Sequence, residues 1–126
     1  MRGSTSHNTD QSLFDGVDPR NRLNALSNRE WLKRTKSVWY SRPGPRDELK
    51  QQHPATFAES DVVRLIELFT RPGERVLDPF LGSGSTLIAA ERTGRKCYGF
   101  DLDARYCDVI LARWEAFTGE TATKRS

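Results

Sequence analysis

Cysteine is scarce in this chain. Two occur among 126 residues, Cys97 in a predicted strand and Cys107 in a predicted helix, with no CxxC spacing and no neighbouring histidine. That excludes a disulfide framework and a thiol-based metal or redox centre, and both read as buried free thiols. Long apolar runs are missing as well. Nothing approaches the ~18 to 20 residues that cross a bilayer, and the polar stretch from Met1 to Asp10 lacks the apolar centre of a signal peptide. A soluble, cytoplasmic chain with no membrane and no metal partner is expected. Hydrophobic residues make up only 36% of the whole, low for a globule of this length, so one domain at most is expected and part of the chain should lie outside its core.

Charge of either sign is close to balanced, at a net +3, but it is unevenly placed. Between Asp18 and Lys50 there are nine Lys and Arg against four Asp and Glu, interleaved with Trp31, Trp39 and Tyr40. That mixture suits phosphate contacts combined with stacking on a nucleic acid. An amphipathic helix with a solvated basic face explains the same composition.

Residues 1–20 are polar, have no apolar period and are expected to be disordered. Residues 21–52 form a basic, aromatic segment with a short helix after Ser27 and a turn at Pro43-Gly44-Pro45. Thr56-Phe57-Ala58-Glu59 has capping-box spacing, and Val62, Leu65, Ile66 and Phe69 then recur at i, i+3, i+4 and i+7, which predicts a helix from Glu59 to Thr70. A short buried strand is expected from Arg75 to Asp78, a helix from Ser85 to Arg92 closed by Gly94, and a second strand from Lys96 to Asp101. Asp103 caps a last helix with Tyr106, Val109, Ile110, Arg113 and Phe117 on one face, ended by Gly119. Residues 120–126 are a polar tail. Two parallel strands alone leave two unpaired edges, so either a further strand lies in the N-terminal region or another polypeptide supplies the rest of the sheet.

The chemistry concentrates in Asp78-Pro79-Phe80-Leu81-Gly82-Ser83-Gly84-Ser85-Thr86. Gly82 and Gly84 lack the β-carbons that would keep a ligand from the backbone, and the next helix aims its free N–H groups above the turn. A dinucleotide fingerprint needs a third glycine where Leu87 stands, and a P-loop needs a lysine that Gly84-Ser85-Thr86 lacks. A cofactor with an amino-acid end and a nucleoside end requires instead a carboxylate near the turn, supplied by Asp78, and another for the sugar. Asp101 stands 101 − 78 = 23 residues on, where the next strand would end. The alternative is a loop whose glycines are steric only and in which Asp78 is a turn residue.

These residues resemble the S-adenosylmethionine motif of the amino-group DNA methyltransferases, which methylate adenine N6 or cytosine N4. The similarity continues through Gly94-Arg95, Tyr98-Gly99-Phe100-Asp101 and Tyr106-Cys107-Asp108-Val109-Ile110 to Arg113-Trp114, and upstream through His53-Pro54-Ala55-Thr56-Phe57. It covers about His53 to Gly119, so residues 53–119 are the expected cofactor-binding subdomain. Ala58 and Ser85 depart from the proline and threonine common at those positions. The resemblance implies an α/β, partial Rossmann-like methyltransferase fold with an incomplete parallel sheet. It further implies that Asp78, Phe80, Gly82, Ser83 and Gly84 shape the pocket for the methionine portion of S-adenosyl-L-methionine, that Asp101 holds the ribose, and that Thr56 and Phe57 close the other side.

The family's catalytic motif, Asp, Asn or Ser followed by Pro-Pro and an aromatic residue, is not in the chain, which contains no Pro-Pro. No catalytic residue is therefore assigned. The resemblance implies a C-terminal, cofactor-binding half that acts on DNA with a complementary methyltransferase chain or as a homodimer. The alternatives are a non-catalytic DNA-binding or assembly module and an inactive methyltransferase remnant.

Overall fold

The structure, a computed structural model, describes residues 15–41 and 57–126. The expectations for residues 1–14, for Pro43-Gly44-Pro45 and for His53 to Thr56 lie outside the described residues. The elements run α1 (Asn28–Arg34), α2 (Glu59–Phe69), β1 (Arg75–Asp78), α3 (Ser85–Arg92), β2 (Lys96–Gly99) and α4 (Ala104–Thr118). The two strands pair in parallel, from Arg75 opposite Lys96 to Asp78 opposite Gly99. The fold is thus α/β with a small parallel sheet and flanking helices.

Strand β1 and helix α3 have the bounds expected of them. Strand β2 stops at Gly99, two residues short of the expected end at Asp101. β1 cannot continue as its neighbour, because Pro79 has no N–H and Asp78 Oδ1 accepts the Phe80 N–H at 2.9 Å in a turn. Phe100 therefore bends over that turn, donating to Asp78 O at 3.1 Å and accepting from Leu81 N at 2.9 Å.

Alternation along the strands sends Val76 and Cys97 to one face and Leu77 and Tyr98 to the other. Val76 and Cys97 pack against Val62 and Ile66 of α2 and Ala89 and Ala90 of α3, with Val63 alongside. Ala89 and Ala90 are almost fully buried, and their small size lets α3 lie close to both neighbours. Burying each large aliphatic side chain here contributes about 1.5–3 kcal/mol. The opposite face is uncovered among the described residues: Leu77 is 66% and Tyr98 52% exposed.

The expected capping box at Thr56 to Glu59 is not how α2 begins. Its N-cap is Ala58, which makes no side-chain cap, and Glu59 is the first helical residue rather than the third. The Glu59 carboxylate goes instead to Arg113, at 2.6 Å, a buried cation that needs an anion more than the helix end does. A capping box does form at α1, where Ser27 Oγ accepts from Glu30 N and Glu30 Oε2 accepts from Ser27 N at 2.9 Å.

Residues 15–41 lie along α2. Asn24, only 1% exposed, donates from Nδ2 to Leu68 O at 2.7 Å, while its Oδ1 accepts from Asn21 Nδ2 at 2.8 Å and Leu26 N at 3.1 Å. Arg71 donates to Asn21 O, and Arg34 pairs with Glu67. Trp39 donates from Nε1 to Arg34 O at 3.1 Å, and the Arg64 guanidinium lies 4.2 Å over its ring. Asp18, within the stretch expected to be disordered, accepts from Arg20 N at 2.8 Å and from its guanidinium.

Among the described residues no helix is long and apolar enough to cross a membrane.

Candidate functional site

The site is built where the carboxyl ends of both strands meet the amino ends of α3 and α4. In parallel sheets that edge carries ligands, because the chain must turn there into helices whose first N–H groups have no partner. Gly82 and Gly84 adopt φ of 54° and 82°, left-handed values that side chains with a β-carbon rarely take. Gly84 is also the N-cap of α3 and donates to Leu81 O at 2.8 Å. A β-carbon on it would stand 3.3 Å from Ile110 Cγ1, so α4 packs directly against this turn.

Asp101 joins the two strand ends. Its Oδ2 accepts the Gly82 N–H at 2.8 Å and its Oδ1 the Asp103 N–H at 2.9 Å. Each carboxylate oxygen offers two lone pairs, so both retain acceptor capacity toward a ligand hydroxyl. Asp103 in turn caps α4 by accepting from Arg105 N at 2.9 Å. The Arg105 side-chain hydrogen bonds, and after them the backbone N–H, hold the Asp103 carboxyl below the usual carboxylate range.

Above these groups opens a cleft of about 580 Å³, within the size range of small-molecule sites. The structure brings six of the eight residues picked from sequence to its wall: Phe57, Asp78, Phe80, Gly82, Ser83 and Asp101. Gly84 lies beneath the turn against Ile110 and supports it without lining the cleft. Thr56 falls outside the described residues. The far wall, made by Leu102, Asp103 and Tyr106, is not among the residues picked from sequence. Its signal is present in Asp103, since a helix-capping carboxylate two residues after Asp101 must sit beside it.

Gly99 is a further residue that the sequence reading does not single out. A β-carbon there would stand 2.2 Å from Leu81 Cδ1 and 2.4 Å from Leu81 Cγ, so Leu81 rests on bare backbone at the end of β2. That contact lets the Phe80-Leu81 arm fold over the sheet. Cys97, beneath the site, is no nucleophile: burial, and then the charge of Asp78, pushes its thiol up to about 11. Three carboxylates and a helix amino end around one cleft suit a ligand carrying hydroxyl groups and a positive charge together with an anionic group.

The family model described as "DNA methylase", of the N6/N4 methylase type, matches residues 5–112. Among curated proteins, the chain is 34% identical over 85 residues to type II methyltransferase M2.DpnII of Streptococcus pneumoniae, covering 67% of this chain and 32% of that protein. It is 34% identical over 95 residues to type II methyltransferase M.BglI of Bacillus subtilis, covering 75% of this chain and 26% of the other. The chain thus spans about a third or less of the length of these relatives. TTHA0409 of Thermus thermophilus, solved in complex with S-adenosyl-L-methionine, superposes with a TM-score of 0.58 at 33% identity, over 73% of this chain and 34% of that one. The M1.HpyAVI–SAM complex gives a TM-score of 0.52 at 30% identity, over 63% and 41%. Motif series, strand-end cleft and these matches agree, and the chain belongs to the N6/N4 DNA methylase family.

Proposed function

We propose that this chain binds S-adenosyl-L-methionine in the cleft between Asp78 and Asp101 and forms the cofactor-binding part of a DNA methyltransferase acting on an exocyclic amine of adenine or cytosine. The observation that carries the reading is the Asp101 carboxylate, hydrogen-bonded to the glycine turn with acceptor sites remaining on both oxygens. Asp101 accepts the ribose hydroxyls, Asp78 faces the ammonium of the methionine portion, and Phe57 and Phe80 cover the apolar parts. Gly82 and Ser83 bring the turn's backbone close to the methionine end, with Gly84 supporting from below and Thr56 beside Phe57. S-adenosyl-L-methionine supplies an electrophilic methyl group. The acceptor that holds the target amine comes from a second polypeptide carrying the Pro-Pro-aromatic motif.

The bare sheet supports that division of labour. Leu77 and Tyr98 form an apolar face without a covering helix among the described residues, and the outer edge of β1 has no strand paired to it there. DNA is the substrate and such a chain would work in the cytoplasm. Titration calorimetry with S-adenosyl-L-methionine, on the chain alone and with the catalytic polypeptide, tests the proposal. Saturable binding is expected, together with methyl transfer to DNA only in the mixture; no heat of binding in either arrangement refutes it.

The alternative of a DNA-binding or assembly module depends on aromatic residues in the basic segment. Trp39 is already engaged by Arg64, which weakens it. Gel-shift with Asp101→Ala separates the two, since a module of that kind binds DNA regardless of Asp101.

A further inference from the structure

Arg113 lies on the apolar face of α4, beside Val109 and Ile110, and is 5% exposed. A guanidinium is retained at such a depth only where its donors are matched by acceptors. Its Nη1 donates to the carbonyl of Ser83, inside the glycine turn, and its Nη2 donates to Glu59 Oε1 at 2.6 Å. Glu59 opens α2 two residues after Phe57, and its other oxygen receives Arg92 at 3.5 Å. One planar fork thus ties the glycine turn, which lines the cleft, to the start of α2, two residues after Phe57 of the same lining.

The carbonyl it holds also matters. The C=O and N–H of one peptide unit point in opposite directions. Fixing Ser83 O on Arg113 therefore turns Gly84 N–H toward Leu81 O, the 2.8 Å bond that closes the turn. The same brace stops α2, and Phe57 with it, from drifting away from the turn.

We propose that Arg113 is a positioning residue for the cofactor cleft, bracing the glycine turn against the start of α2 through Ser83 and Glu59. It touches no ligand itself, and the proposal rests on the cofactor reading above. Lysine cannot replace it, because an ammonium lacks the fixed fork that reaches two acceptors on separate elements.

The test uses the full chain with Arg113→Met, Arg113→Lys and Glu59→Gln, and Val109→Ala as a control that loosens α4 without touching the brace. S-adenosyl-L-methionine affinity is measured by calorimetry, and amide hydrogen exchange of residues 82–85 and 57–59 is followed in the ligand-free protein. Arg113→Met should weaken binding about ten-fold or more, as expected for losing a charged hydrogen bond, with Arg113→Lys recovering part of that. Glu59→Gln should weaken binding in the same direction. All three should speed exchange at residues 82–85, whereas Val109→Ala should lower the melting temperature and leave affinity and local exchange unchanged. Should Arg113→Met fail to fold, Arg113→Lys and Glu59→Gln decide the matter. Wild-type affinity and exchange in the folded variants overturn the proposal. Absence of binding by the wild-type chain overturns the cofactor reading instead, and the exchange measurements then decide whether the brace exists.

Discussion

The Asp101 carboxylate reaches back from the end of β2 and accepts the backbone N–H of Gly82 at 2.8 Å, so one side chain joins the second strand to the turn that follows the first. This bond makes Asp101 part of the cleft's frame as well as a candidate ligand group. Asp101→Asn turns one acceptor oxygen into an NH₂ facing a backbone N–H, at Gly82 or at Asp103. Loss of a charge-assisted bond of that kind costs about 1.5–3 kcal/mol. The expected outcome is a lower melting temperature together with loss of S-adenosyl-L-methionine binding, checked by thermal denaturation and calorimetry on one sample.

Gly99→Ala places a methyl group where Leu81 now lies, 2.2 Å from Cδ1. Overpacking against a leucine costs about 1–3 kcal/mol. Urea denaturation should show that loss, and Leu81→Ala in the same chain should recover part of it. Equal destabilisation in both backgrounds would show that the contact does not govern the position.

Asn24→Ala removes both a donor to Leu68 O and the acceptor shared by Asn21 and Leu26. Buried polar groups left without partners cost about 1–3 kcal/mol. Limited proteolysis should then cut within residues 15–41 sooner than in the wild type, because Asn24 is the buried one of the contacts that fasten that segment to α2, the Arg34–Glu67 pair and the Arg64–Trp39 stacking being more exposed.

Asp103 gives a pH dependence with a definite sign. Its carboxyl is held below the ordinary value of 3.8 by Arg105, so the folded state binds this proton less readily than the unfolded state. The contribution is present above pH 3.8 and is lost as pH falls through the lower folded value. Wild type and Asp103→Asn should therefore differ in helicity at neutral pH and converge as acidification protonates the Asp103 carboxylate, as circular dichroism would record.

Leu77→Asp puts a charge on the sheet face that no helix covers among the described residues. If that face receives the catalytic polypeptide, co-purification should fail while calorimetric binding of S-adenosyl-L-methionine by the chain alone is unchanged. Retained co-purification would place the contact elsewhere.

Much of the fold is readable in advance, because its signals are local. The turn residues Arg71-Pro72-Gly73 and Gly82 bracket β1, and Gly94 and Gly119 end α3 and α4 in left-handed conformations. What escapes such a reading depends on partners distant in sequence. Glu59 looks like half of a capping box because Thr56 is three residues before it, and only the fold shows Arg113, 54 residues later, claiming its carboxylate. Arg113 itself reads as one residue of an apolar face; a cation in an apolar stripe is the sign that a buried anion or carbonyl awaits it. The glycine turn and both aspartates are legible as a site because strand, turn and helix follow one another directly. Of the Leu102 to Tyr106 wall only Asp103 is legible, as a helix cap; that Leu102 and Tyr106 face the cleft depends on Phe100 bending over the Asp78 turn.

The outer edge of β1 has a final implication, for selectivity of assembly. Only Arg75–Asp78 are available along it, too short a row for backbone pairing to discriminate one incoming strand from another. If the proposed catalytic polypeptide pairs there, its selection must rest on shape at Leu77 and Tyr98 and on the charges of Arg75 and Asp78 at either end of the strand. Under the proposed two-chain arrangement, a strand that satisfies the ladder but not those side chains would bind more weakly than the matching one, and an edge that has no strand paired to it among the described residues would be less prone to indiscriminate pairing.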